Sequence, residues 1–156
     1  MTNAEVTVRE LLAMHETALA ELRARGVVRT NDSPSGQYAE WLAQQVLGGE
    51  LAPNSEKSFD LTTSDGVTLQ VKCRVLRNGS AGERQLSPFP SFDFDQALVI
   101  LFDPAYDVLH AVLLSADLAQ QLSRWSAHVN GYLLTARSSV LEQGVDVTAR
   151  FAIPHD

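Results

Sequence analysis

The chain has 156 residues, of which 45% are hydrophobic and 20% charged, enough for one domain with a substantial core and too few for two of ordinary size. No apolar run is long enough to span a bilayer, the start Met1-Thr2-Asn3-Ala4-Glu5 has no basic segment leading into an apolar block, and a single cysteine, Cys73, excludes an internal disulfide and cysteine-pair zinc sites. These features point to a cytoplasmic protein with no membrane partner, and a formal net charge of −7 excludes one that coats nucleic acid through charge alone.

Taken in order, residues from about 4 to 25 read as a helix, because Val8, Leu11, Leu12, Ala18, Leu19 and Leu22 recur at three and four and Gly26 follows as a stop. Its expected role is core packing, with His15 close to the apolar stripe. The cluster Asn31-Asp32-Ser33-Pro34-Ser35-Gly36 supplies N-caps and a proline suited to a first helical turn, so a second helix should run from Pro34 or Gly36 to Leu47 and stop at Gly48-Gly49. Tyr38, Trp41, Leu42 and Val46 make its main apolar face. Glu40 lies off that face beside Ala43 and Leu47, either as a solvated charge, which helical phase favours, or against a second packed layer. The stretch from Glu50 to Lys57 holds a short edge strand or only a loop.

Chemistry is densest in the next stretch. Two β-rich runs, Phe59 to Thr63 and Val67 to Lys72, flank Ser64-Asp65-Gly66, and a three-residue loop ending on a left-handed glycine is a common way to close such a hairpin. That loop pairs Thr63 with Val67, Leu61 with Leu69 and Asp60 with Gln70. Side-chain alternation then puts Phe59, Leu61, Val67, Leu69 and Val71 on an apolar face and Asp60, Thr62, Thr68, Gln70 and Lys72 on a polar one. A carboxylate, an amide oxygen and an ammonium meet there. Hard oxygen donors on adjacent strands suit Mg²⁺, which keeps several waters and takes few protein ligands, and a lysine beside it can orient or help deprotonate a water. A two-residue loop on Asp65-Gly66 would instead separate Asp60 from Gln70, and an ordinary solvated sheet edge would show one polar face as well.

Lys72, Arg74, Arg77 and Arg84, opposed only by Glu83, form a basic stretch leading into a long break from Arg77 to Ser91. There Phe89 and Phe92 either anchor the loop to the core or touch a partner. Phe94 to Phe102 and Val108 to Leu114 read as a second hairpin at the centre of the sheet. Ser115 caps a short helix to about Leu122. Asn130-Gly131 signals a tight turn between Ala127-His128-Val129 and Tyr132-Leu133-Leu134, and Ser138 to Gln143 forms a last helical turn. Trp41 and Trp125 read as core or near-core aromatics. Asp103 and Asp107 read as turn formers, and Asp93 and Asp95 as similar. The fold expected is α/β (α+β), a single domain over residues 1–156 with its core at about 33–122.

Glu40 on a helix, Asp60 at the start of a hairpin and Gln70-Val71-Lys72 on its second strand resemble, in order and spacing, the PD-(D/E)XK nuclease superfamily with its restriction-endonuclease-like fold. The wider pattern Gly36-Gln37-Tyr38-Ala39-Glu40, Phe59-Asp60-Leu61 and Gln70-Val71-Lys72-Cys73-Arg74 looks like small bacterial proteins of that superfamily. The resemblance covers roughly residues 33 to 114. It implies a central mixed sheet flanked by helices and a metal-dependent nuclease hydrolysing DNA phosphodiesters in restriction, repair or defence. Asp60 would bind Mg²⁺ (or Mn²⁺), Gln70 would be the second ligand and the Val71 backbone carbonyl would complete the shell. Lys72 would be the catalytic lysine and Glu40 an auxiliary acid, while Arg74, Arg77 and Arg84 would hold flanking phosphates. The sequence departs from the family pattern in having no proline before Asp60 and glutamine in place of an acidic ligand. A domain of this size implies a homodimer or a partner protein for specificity. The competing expectations are an inactive module of the same fold that binds nucleic acid or protein, and an interaction protein in which the constellation is accidental.

Overall fold

The computed structural model describes residues 5–56 and 58–152, so Ala4 and Lys57, at the limits of two expected segments, lie outside the described residues. Helix α1 (Val8–Ala24) opens on a capping box in which Thr7 and Glu10 satisfy each other's backbone N–H groups. Its expected burial is not observed. Val8, Leu11, Leu12 and Met14 are exposed, His15 is exposed as well, and only Leu19 is buried. A 3.6-residue period reports that a helix has an apolar face; what covers that face is a tertiary fact, and here most of it is left in solvent.

Helix α2 (Pro34–Leu47) starts on the expected proline and buries Ala39, Leu42 and Ala43, with Tyr38, Trp41 and Val46 packed beside them. Gly48 and Gly49 end it with φ of 73° and 93°. At Gly49 a Cβ would lie 2.0 Å from the Thr62 carbonyl oxygen, so glycine is what lets the chain leaving α2 press directly against the hairpin.

Strands β1 (Glu50–Leu51), β2 (Leu61–Thr62) and β3 (Thr68–Val75) form an antiparallel meander, so the Glu50–Lys57 stretch does begin with a short edge strand. The three-residue loop is the one that forms. Leu61 pairs with Leu69 and Thr62 with Thr68, the Thr63 N–H donates to the Val67 carbonyl at 2.8 Å, and Gly66 takes φ 83°. Leu61, Leu69, Val71 and Val75 face α2 as the alternation requires, whereas Phe59, past the end of the ladder, turns to the opposite core.

Strand β4 (Gln96–Phe102) runs parallel to β3, and β5 (Val108–Ser115) returns antiparallel to β4. Ala97 to Phe102 are all fully buried because both faces of β4 are covered. Helix α3 (Ala116–Leu122) is capped by Ser115 Oγ, which accepts from the Leu118 N–H at 3.1 Å. The hairpin β6 (Arg124–Ser126) and β7 (Gly131–Leu133) pairs Ser126 with Gly131. Its loop is therefore Ala127 to Asn130, longer than the tight turn expected at Asn130-Gly131 and with the first strand placed earlier. Helix α4 (Ser138–Leu141) and strand β8 (Val145–Asp146) follow; β8 pairs with β5, and Phe151 beyond it is buried.

Among the described residues the result is an α/β (α+β) architecture with a six-stranded mixed sheet, order β1-β2-β3-β4-β5-β8, and four helices. One face packs on α2. The other packs on Leu86, Phe89, Phe94, Leu134, Ala136 and Leu141, most of them from segments without regular structure. No α-helix makes the β3-to-β4 crossover; a single 3-10 turn, Ala81–Arg84, does, and Phe89 and Phe92 anchor the crossover into the core rather than standing free of it. Trp41 packs at the core edge as expected, but Trp125 is 52% exposed. Asp103 caps its own turn through the Ala105 and Asp107 N–H groups, whereas Asp95 reaches across to Thr68, tying β4 to β3. Among the described residues no helix is long and apolar enough to cross a membrane.

Candidate active site

Because β2 is only two residues long, β3 has an open edge from Val71 onward. Asp60, the last residue to join the ladder, donates its N–H to the Leu69 carbonyl and gives its own carbonyl to the Ala52 N–H, both at 2.8 Å. Its carboxylate then takes over where the strand stops: Oδ2 accepts the Val71 N–H at 2.7 Å. Val67 and Leu69 both turn their carbonyls toward β2, so by strand alternation the Val71 carbonyl faces the same open edge.

Glu40, on the middle of α2, meets Asp60 there. The two carboxyl groups hydrogen-bond each other, and the Glu40 side chain is only 22% exposed. Helical phase favoured a solvated Glu40; the structure puts it against a second layer, because the Asp60 segment closes over the α2 flank that Ala43 also buries. Burial pushes Glu40 up to about 7, helped by the negative charge of Asp60 and by their shared hydrogen bond, against the opposing pull of Arg29 and Lys72. Asp60 is raised too, again by burial, but the Val71 N–H, the hydrogen bond with Glu40 and the two cations all favour its ionised form. Glu40 therefore holds the proton of the pair.

Lys72 is 8% exposed. Its ammonium donates to Ser87 Oγ at 3.1 Å and to the Pro88 carbonyl at 3.0 Å, and sits 4.9 Å from the Phe89 ring centroid. Burial lowers its pKa while Asp60 and Glu40 hold it up, so its charge is felt at the carboxyl pair although its head is tethered to the crossover. Cys73, next in the chain, has its thiol pushed up to about 11 by burial.

A cleft of about 300 Å³ opens over the pair, lined by Arg29, Gln37, Glu40, Asn54, Phe59 and Asp60 among others. Of the expected site residues the structure brings Glu40 and Asp60 into it. Gln70 lies half-buried on the Lys72 face of β3, outside the cleft lining. Arg74 and Arg84 lie outside it as well and bond backbone carbonyls, Arg74 Nε to Gln85 at 2.6 Å and Arg84 Nη1 to Ala136 at 2.9 Å. Arg77 is exposed, its backbone N–H donating to Glu83. Among the described residues the cation that does line the cleft is Arg29, with Nη2 3.7 Å from Glu40 Oε2 and Nη1 3.3 Å from the Ala52 carbonyl. Nothing periodic marks Arg29 in the sequence. Its position follows from Gln37, whose Oε1 accepts the Arg29 and Thr30 N–H groups at 2.6 and 3.0 Å and folds the approach to α2 back over the helix.

Two adjacent carboxyl groups kept from ionising together by burial suit a divalent cation, which can take the place of the shared proton. Among the described residues no three His, Cys, Asp or Glu side chains converge as a metal group, so a cation here would rest on Asp60, Glu40, the Val71 carbonyl and water, the sparse oxygen set that Mg²⁺ accepts. No protein-family model matches the chain and no curated protein sequence matches it.

Proposed function

We propose that the chain is a metal-dependent nuclease that hydrolyses DNA phosphodiesters. The observation that carries this reading is the half-buried Glu40–Asp60 pair at the open edge of β3, in a cleft, within the field of Lys72. Bound Mg²⁺ or Mn²⁺ supplies a Lewis acid for a phosphodiester oxygen and an acidified water. Asp60 and Glu40, with the Val71 carbonyl, are the groups that would hold such a cation, Glu40 taking the place the sequence pattern gives to Gln70. Asp60 stays fixed through its bond to the Val71 N–H. Lys72, fastened by Ser87 and Pro88, holds positive potential behind the carboxylates and opposes the charge that builds on the phosphate. Arg29, which lines the same cleft, would offer its guanidinium to a phosphate oxygen.

A second reading, an inactive module of the same fold that binds nucleic acid or a protein, is favoured by one observation: the Lys72 ammonium is satisfied by the crossover rather than by the cleft. Cleavage of supercoiled plasmid and of single-stranded DNA in Mg²⁺ and in Mn²⁺ separates the two. The nuclease reading expects metal-dependent cutting that disappears in Asp60→Asn and Lys72→Ala. Equal cutting by all three proteins, or none by any, leaves the binding module.

A further inference from the structure

The N-terminal part of α1 is an arm that the rest of the described chain leaves bare. No residue from Glu5 to Ala18 is buried or half-buried, and the apolar side chains of Val8, Leu11, Leu12 and Met14, gathered within two turns, are among them, Val8 75% and Leu12 63% exposed. The helix is fastened only beyond this point. There Leu19 is buried, Leu22 is half-buried and gives its carbonyl to the Val27 N–H, and Arg23 bonds to Asn31. A helical segment as short as Val8 to Ala18 is marginal in water by itself, and the usual source of helix stability in proteins is the covering of an apolar face. The arm calls for a cover that the described residues do not supply.

The charges beside that face select what fits it. Arg9, Leu12 and Glu16 lie on one line along the helix, at spacings of three and four. Arg9 and Glu16 are about 10 Å apart along the axis, too far to meet each other, and neither has an ion pair or hydrogen-bonding side-chain partner among the described residues. Two copies of α1 laid antiparallel about a two-fold axis between Leu12 and Ala13 bring the same flank of each helix together in reverse order. Arg9 then faces Glu16 of the copy, twice over, Leu12 lies beside Leu12 of the copy at the axis, and Leu11 falls opposite Met14. Glu10, already held by Thr7, comes level with His15 of the copy, so no like charges meet between Val8 and Thr17. The face is complementary to itself in charge as well as in apolar surface, which is what an isologous contact requires. For a nucleic acid or an anionic membrane it has the wrong sign, since Glu5, Glu10 and Glu16 outnumber Arg9 from Glu5 to Ala18.

We propose that the exposed part of α1 is a dimer contact, in which α1 of one chain packs antiparallel on α1 of a second copy with Leu12 at the two-fold axis and an Arg9–Glu16 ion pair on each side of it. The pairing is independent of the chemistry in the cleft, whose lining includes no residue of α1. An interface one helix long lies at the small end of the range for specific contacts, so the dimer should dissociate on dilution.

The test is sedimentation equilibrium over a wide range of protein concentration, at low salt and in EDTA. The wild-type chain should pass from the chain mass toward twice that mass as concentration rises. Leu12→Glu should stay a monomer throughout, with the circular dichroism of the wild type because the residue it replaces is exposed. Arg9→Glu and Glu16→Arg each put like charges at both contacts and should dimerise about ten-fold more weakly than the wild type. An equimolar mixture of those two variants should form a heterodimer of wild-type affinity, because both contacts are again of opposite sign. A wild-type chain that remains monomeric, a dimer indifferent to Leu12→Glu, or a mixture that associates no more tightly than either variant alone overturns the proposal.

Discussion

Replacing Glu40 by glutamine isolates the electrostatic cost of the carboxyl pair. Glu40 rises from an ordinary 4.5 to about 7, chiefly through burial, so between those pH values the folded chain holds a proton that the unfolded chain has released. A raised folded-state pKa contributes stability that is complete below 4.5 and lost as pH climbs through 7. At about 1.4 kcal/mol per factor of ten, the wild-type chain should lose about 3 kcal/mol across that window from this group. Glu40→Gln keeps the shape and a donor toward Asp60 but cannot ionise. The two proteins should have similar stability near pH 4.5, and by pH 8 the variant should be the more stable by about 3 kcal/mol, which for a chain of this size is a rise of roughly 6 to 12 °C in Tm. Urea unfolding from pH 4.5 to 8.5 in EDTA measures it. Parallel stability curves for the two proteins would refute the half-buried, proton-sharing pair; so would a variant that loses stability at high pH.

Gly49→Ala should cost on the order of 3 kcal/mol or more in urea unfolding, because it combines a positive φ with a Cβ 2.0 Å from the Thr62 carbonyl; a cost below about 1 kcal/mol would mean α2 and the hairpin do not meet there. Cys73, with its thiol pushed up to about 11, should react with iodoacetamide at pH 8 far more slowly than free cysteine and catch up in denaturant. Val8→Ser and Leu12→Ser should each change the stability of the dilute protein by less than about 0.5 kcal/mol, since neither side chain is buried; a loss of 2 kcal/mol would put α1 in the core after all.

What the sequence made legible was local. The three-residue hairpin loop was one of two registers the sequence allowed and is the one that forms, while α2 follows from its proline and its glycine stop and α3 from Ser115. The apolar runs of strand length marked β4 and β5 as the sheet's centre, whereas its mixed character, set by the parallel pairing of β3 with β4, was implied only by the family resemblance. What was not legible depends on where segments come to rest. The stripe on α1 and the indole of Trp125 look like core material in one dimension and end in solvent. Glu40 looks solvated on a helical wheel and is half-covered by a segment twenty residues away. The crossover has no period at all, yet it supplies Leu86 and Phe89 to the core and holds Lys72. At the site, Asp60 and Glu40 meet as their positions in the motif suggested, while Arg29 enters through the turn that Gln37 folds, and Gln70, Arg74, Arg77 and Arg84 stay outside the cleft lining.

The central claim is that Glu40 and Asp60 form a cation site, and Mn²⁺ titration calorimetry tests it most directly. Run at pH 6 in buffers of different ionisation enthalpy, it should give one Mn²⁺ per chain, release of close to one proton as the cation displaces the one Glu40 holds, and no binding to Asp60→Asn. Absence of binding to the wild-type chain, or binding unchanged in Asp60→Asn, would contradict it.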